Sequence, residues 1–126
     1  MATDTNPVLV VDDNLELLEL IEMLLLNSGC QAIATHSSLQ ALELAGKQRF
    51  SALFTDLMMP GLGGHELIQA VRQTPGNADL PVVIMSGLAM DRQHTDQAGV
   101  YYLEKPFSLA EFNQALERAL VWQEAD

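Results

Sequence analysis

The chain is poor in cysteine, in basic residues and in long apolar runs. Its single cysteine, Cys30, has no partner for an intrachain disulfide. A small apolar filler in or beside a strand is its expected role. Six lysines and arginines stand against seventeen acidic residues, a formal net charge of −11. Proteins that hold nucleic acid need basic patches for the phosphates, so direct nucleic-acid binding is not expected. Apolar runs such as Met23 to Leu26 are far too short to span a bilayer. Met1-Ala2-Thr3-Asp4 has neither the basic region nor the apolar core of a secretory signal. A soluble, cytoplasmic chain without membrane insertion is therefore expected. His36, His65 and His94 are scattered over separate segments and form no metal triad. Gly61-Leu62-Gly63-Gly64 lacks the spacing and the lysine of a nucleotide-binding P-loop.

What is present suits one folded domain, 1–126, with its core at about 7–121. The 126 residues are 48% hydrophobic with a mean hydropathy of +0.11, which argues against disorder. Strand-like and helix-like segments alternate five times. Val8 to Val11 reads as a strand. Asn14 caps a helix to about Asn27, with Leu15, Leu18, Ile21 and Leu25 inward and Glu16, Glu19 and Glu22 outward. Gln31 to Thr35 is a second strand. Ser37 and Gln40 form a capping box before Leu39, Leu42 and Ala45. A third strand ends at Asp56, and the next helix turns Leu67, Ile68 and Val71 inward. Thr74-Pro75-Gly76-Asn77 stops it. A fourth strand ends at Ser86, and a weak, polar helical segment follows at about Met90 to Gln97. The fifth strand reaches Leu103. Ser108 and Glu111 form a second capping box, before a stripe of Leu109, Phe112, Leu116 and Leu120. Alternating β and α units imply an α/β fold with a parallel sheet and helices on both faces.

Polar groups sit where the apolar runs stop. Asp12 and Asp13 follow the first strand, Asp56 ends the third and Ser86 ends the fourth. Lys105, followed by Pro106, comes one glutamate after the fifth. The carboxyl ends of parallel strands face the ligand crevice of an open α/β sheet. Three carboxylates, a hydroxyl and an ammonium would thus meet at one edge. Crowded carboxylates repel, and Mg²⁺, held by one or two carboxylates plus phosphate oxygens, would relieve that. A carboxylate can also attack phosphorus to give an aspartyl phosphate. Lys105 suits a phosphoryl oxygen and Ser86 can donate to another. Singly, each residue has a plainer role: a helix cap at Asp12-Asp13, turn residues at Asp56 and Ser86, a surface lysine at Lys105. Their joint placement at strand ends favours a site.

In these motifs the chain resembles the receiver domain of two-component response regulators. They are Val10-Val11-Asp12-Asp13-Asn14, Thr55-Asp56-Leu57-Met58-Met59-Pro60-Gly61, Met85-Ser86-Gly87 and Tyr102-Leu103-Glu104-Lys105-Pro106-Phe107, in that order. The resemblance covers about residues 7 to 121. It implies a flavodoxin-like (βα)5 three-layer sandwich with strand order 2-1-3-4-5. It implies that Asp56 accepts a phosphoryl group from a sensor histidine kinase or phosphotransfer protein. Asp13, Asp56 and the backbone carbonyl of Met58 would bind Mg²⁺ directly, and Asp12 through water. Lys105 would pair with the phosphoryl group, Ser86 would be the switch hydroxyl, and Tyr102 the aromatic that turns inward as Ser86 moves. The Lys105-Pro106 bond would be cis. The output surface would be the fourth helix, fifth strand and fifth helix.

The chain departs from the family pattern in three places. Nineteen positions separate Ser86 from Lys105, about a helical turn fewer than usual, so the fourth helix is expected to be short or irregular. Serine replaces the commoner threonine at position 86. Gly63-Gly64 makes the loop after Asp56 glycine-rich, with mobility expected. Met58 and Leu88, each two positions after a site residue, are expected to hinder the hydrolytic water. The alternative to a phosphorylation-dependent switch is a phosphate-independent scaffold on the same fold. A Mg²⁺-dependent phosphohydrolase would need a general acid where Met58 stands.

Overall fold

A computed structural model describes residues 6–57, 63–87 and 98–124. In chain order the elements are β1 (Val8–Val11), α1 (Leu15–Asn27), β2 (Ala32–Thr35), α2 (Ser38–Lys47), β3 (Ala52–Asp56), α3 (Gly64–Arg72), β4 (Val82–Ser86), β5 (Val100–Glu104) and α4 (Leu109–Glu124). The expected helical segment at Met90 to Gln97 lies outside the described residues, so α4 is the last expected helix. All five strands are parallel, in the order β2-β1-β3-β4-β5. That is the flavodoxin-like sandwich expected. The chain steps outward from β1 to β2, then back across to β3, so the order reverses between β1 and β3. Ligands of open α/β sheets bind at such a reversal.

Two apolar cores fill the sandwich. Alternate strand residues, among them Val10, Phe54 and Met85, pack beneath α1 and α4, with Ile21, Leu25, Phe112 and Leu116. The opposite set, among them Leu9, Val11, Leu53 and Ile84, packs beneath α2 and α3, with Ala45, Leu67, Ile68 and Val71. Strands covered on both faces are apolar throughout, which is why β1 and β4 read as unbroken apolar runs.

Three leucines expected inside are exposed instead: Leu15 at 60%, Leu39 at 64% and Leu109 at 59%. All three fall in the first turn of a helix. In a βα unit the helix starts beyond the strand's carboxyl end, and its side chains lean back toward that end. First-turn side chains therefore project past the sheet. On α2 the inward positions are Ser38, Ala41 and Ala45.

The caps follow the sequence with one change. Asn14 accepts a hydrogen bond from Leu17 N–H at 3.2 Å. Helix α1 ends in a Schellman turn: Cys30 N–H donates to Leu25 C=O and Gly29 N–H to Leu26 C=O, with Gly29 at φ 85°. Ser108 and Glu111 form the reciprocal box, with bonds of 2.8 and 3.1 Å. At α2 only half the box forms. Ser37 Oγ accepts from Gln40 N–H, but the Gln40 side chain is bonded to the Thr35 hydroxyl. Thr35 Oγ1 in turn accepts from Ser37 N–H, taking the place the glutamine would fill.

Asn77, expected only as part of a stop signal, is a buried tie. Its Oδ1 accepts from Phe50 N–H at 3.0 Å. Its Nδ2 donates to Ala45 C=O, Gln48 C=O and Thr74 Oγ1 at 2.9, 3.1 and 2.9 Å. One side chain thus joins the end of α2, the approach to β3 and the turn after α3. Asn77→Ala would strand a buried N–H and a buried carbonyl. The expected loss is roughly 2–4 kcal/mol, read from the urea midpoint at unchanged slope.

Candidate functional site

Strand register levels the carboxyl edge. Val11 pairs with Thr35 and Thr55, Asp56 with Met85, and Ser86 with Glu104. Asp12, Asp56, Ser86 and Lys105 are therefore delivered to one rim by different strands. Carboxylate oxygens of Asp12, Asp13 and Asp56 all lie within 4.8 Å of one another. The set straddles the β1/β3 reversal.

The three carboxylates differ. Asp12 is fully buried. Its Oδ1 accepts from Asn14 N–H at 2.9 Å, and its Oδ2 accepts from Lys105 Nζ at 2.9 Å. Asp13 is exposed, and the Asp56 side chain is 13% exposed. Lys105 Nζ also stands 3.6 Å from Asp56 Oδ2. One ammonium therefore serves two of three clustered carboxylates. The remaining negative charge and the acceptor-only oxygens suit a hard divalent cation. Both Asp12 oxygens already hold a partner. The carbonyl of Met58 lies outside the described residues.

Local structure fixes each group. Lys105 N–H donates to Ser86 C=O at 2.7 Å, extending the β4–β5 ladder one step past the strands. The Lys105-Pro106 bond is cis, as expected. Phe107 then stacks on Phe112 at 6.1 Å, and Phe112 meets Phe54 at 5.4 Å, so the segment after Lys105 is anchored in the α1–α4 core. Ser86 is buried at the end of β4. Tyr102 is half-buried against the α2–α3 core, on the face of the sheet that also carries Ile84.

Gly64 has a packing role that its place in a glycine-rich loop did not announce. It opens α3 and donates its N–H to Leu57 C=O. A Cβ there would sit 2.8 Å from Asp56 O and 2.9 Å from Leu57 Cα. This glycine provides close packing of α3 onto the residue after Asp56. Gly63 N–H donates to Glu66 Oε1 at the same helix start. A glycine just inside a helix, after a strand that ends in a site residue, was the available sequence signal.

The arrangement is an open α/β sheet with an acidic, lysine-bridged pocket at its order reversal. Residues 8–117 match the response regulator receiver domain family, and the chain belongs to it. Among its relatives is the polar-differentiation response regulator DivK of Brucella ovis, 29% identical over 119 residues, covering 92% of this chain and 97% of that one. The two-component response regulator ARR16 of Arabidopsis thaliana is 31% identical over 121 residues, covering 82% of this chain and 74% of the relative. Among solved structures, the receiver domain of sensor histidine kinase PA1611 from Pseudomonas aeruginosa has a TM-score of 0.80 at 29% identity. The match covers 94% of this chain and 99% of that one, which holds a magnesium ion in its active-site cleft. Chemotaxis protein CheY4 of Vibrio cholerae shares the fold, with a TM-score of 0.84 at 24% identity over 93% of this chain and all of that one. The chain spans about half the length of some curated relatives it matches. Receiver domains are phosphoryl acceptors of two-component signalling rather than conventional enzymes; they bind Mg²⁺ at an acidic pocket and work with histidine kinases or phosphotransfer proteins. No helix among the described residues is long and apolar enough to cross a membrane.

Proposed function

We propose that this chain is a single receiver domain acting as a phosphorylation-dependent switch, with Asp56 as the acceptor. The observation that carries the proposal is the clustering of Asp12, Asp13 and Asp56 with Lys105 at the β1/β3 reversal. Asp13 and Asp56, with the Met58 carbonyl, are the residues that would hold Mg²⁺, and Asp12 would act through water. Mg²⁺ bound there supplies positive charge that offsets repulsion between a carboxylate and an incoming phosphoryl group.

An Asp56 oxygen attacks phosphorus as the P–N bond of a phosphohistidine breaks, and the electron pair stays with the imidazole. Phosphoryl transfer asks mainly for positioning and charge, and a lysine at the rim with a buried hydroxyl beside it supplies both. The new group adds charge and strong acceptor oxygens. It stabilises the state in which Ser86 and Lys105 close around it, and Tyr102 takes the space Ser86 leaves. The test is a labelled phosphohistidine phosphotransfer protein mixed with the chain. Label should move to the chain in Mg²⁺ and stay on the donor in EDTA; label that never moves would reject the proposal.

Met58 and Leu88 lie outside the described residues, and their role rests on sequence position. Apolar side chains there hinder the water that hydrolyses the acyl phosphate. Met58→Asn with Leu88→Ala should shorten the phosphoryl lifetime about tenfold, a barrier change of about 1.4 kcal/mol. An unchanged lifetime in a phosphate-release assay would remove this idea while leaving the acceptor assignment intact.

A further inference from the structure

Beside the acidic rim lies an apolar pocket of about 500 Å³. One wall is the start of α1, where Leu17 and Leu20 fall at i and i+3 on one side of the helix. The facing wall is Pro106 and Phe107, after β5. Leu17 and Phe107 are packed against the α1–α4 core, and Phe107 also stacks on Phe112, so both walls are anchored. Leu20 points away from that core and is 47% exposed. Asn14, Gly87 and Lys105 form the end nearest the carboxylates. Asn14 N–H is bonded to Asp12 Oδ1. Lys105 belongs to both places: it lines the pocket, and its Nζ lies 3.6 Å from Asp56 Oδ2. Gly87 puts no side chain in the passage, where a Cβ would stand 4.0 Å from Lys105 Cβ. A cation that reaches the acceptor carboxylate therefore sits at the end of an apolar slot of the size that holds a small organic group.

We infer that this pocket selects among small-molecule phosphodonors by holding the acyl group of a mixed anhydride of phosphoric acid and an apolar carboxylic acid. The inference rests on Asp56 as the acceptor. The phosphoryl end of such a donor is anionic and takes Lys105, a compact cation suited to it. The acyl chain lies between Leu17 and Leu20 on one side and Pro106 and Phe107 on the other. An Asp56 oxygen forms the new bond to phosphorus as the bond from phosphorus to the bridging oxygen breaks. The electron pair leaves with that oxygen, so the acyl group departs as a carboxylate and no proton moves. The pocket thus distinguishes donors by their leaving group. Acetyl phosphate offers it a methyl group, and butyryl phosphate a propyl chain. A fully buried methylene strengthens binding about fourfold. The two leaving carboxylates are nearly equal in basicity, so a difference in rate reports contact with the chain.

The test compares acetyl and butyryl phosphate at equal, sub-saturating concentrations in Mg²⁺, with phosphorylation followed by intact mass. The pocket is open on one side, so the longer donor should react at least about fivefold faster rather than by the full factor for two buried methylenes. Leu20→Asn makes one wall polar and should bring the two rates to within about twofold of each other. Their ratio is the readout, because a general loss of activity in the variant cancels from it. Equal rates in the native chain would overturn the inference and leave Asp56 as the acceptor. So would a preference that survives in Leu20→Asn. If neither donor labels the chain, the acceptor assignment fails and the inference with it. Binding gives a second readout that needs no transfer. In 2-oxopentylphosphonate a methylene replaces the bridging oxygen of butyryl phosphate. It should shift the methyl resonances of Leu17 and Leu20, and bind at least about fivefold more tightly than 2-oxopropylphosphonate. Leucine resonances that stay in place would equally overturn the inference.

Discussion

Replacing Asp56 by asparagine is expected to abolish phosphorylation completely while making the metal-free protein more stable. The native chain, incubated with acetyl phosphate and Mg²⁺, should gain one phosphoryl group by intact mass, and Asp56→Asn should gain none. The amide lacks the oxygen anion that the proposed attack on phosphorus requires. The stability gain follows from counting charges. Asp56 faces two carboxylates, Asp12 and Asp13, and one ammonium, Lys105, at 3.6 Å. Neutralising it removes two repulsions and one attraction, a net relief of about 1 kcal/mol after solvent screening. In EDTA the variant should therefore melt a few degrees above the native chain. Mg²⁺ should narrow or reverse that gap, because it stabilises only the intact site strongly. A structural role for Asp56 would predict the opposite sign in EDTA.

The second large effect is expected at Lys105. It is the cation of the cluster, and its Nζ lies 2.9 Å from Asp12 Oδ2. Asp12 is fully buried, so Lys105→Ala leaves a carboxylate whose Oδ1 keeps only the Asn14 N–H. Breaking a fully buried pair costs about 3–5 kcal/mol. Lys105 is 23% exposed, so roughly 2–3 kcal/mol is expected here. In the proposed site metal and lysine would act on the same carboxylates, so saturating Mg²⁺ should raise the melting temperature of Lys105→Ala more than that of the native chain. Equal shifts would show that the lysine does not share charge with the metal site. The same variant should still form the acyl phosphate, more slowly, since the nucleophile is intact.

Much of this was legible in the sequence, for reasons that residues make plain. The fold followed from apolar runs too short for helices and each ended by a polar group: Val8 to Val11 before Asp12, Val82 to Met85 before Ser86. The same punctuation exposed the site, because a doubly wound sheet brings its strand ends together wherever the intervening helices go. Periodicity failed at Leu15, Leu39 and Leu109, since a helix wheel has no knowledge of where the sheet ends beneath it. Asn77 was hidden because four bonds from one side chain depend on which loops meet, at separations of up to 32 residues. The packing role of Gly64 was hidden because glycine signals both freedom and close approach, and only the fold shows how near Asp56 O lies. The distinction among the three aspartates, with Asp12 buried and lysine-bonded and Asp13 exposed, likewise required the folded chain.

The most direct test of the central claim is to find which atom carries the phosphoryl group. The chain is treated with acetyl phosphate in Mg²⁺ or in EDTA, then with borohydride, which reduces an aspartyl phosphate to homoserine. Peptide mass spectrometry then locates the converted residue. The account predicts homoserine at position 56, in the Mg²⁺ sample alone. Conversion at Asp12 or Asp13 instead, or none in a sample that binds Mg²⁺, would contradict it and leave a receiver fold used without phosphate.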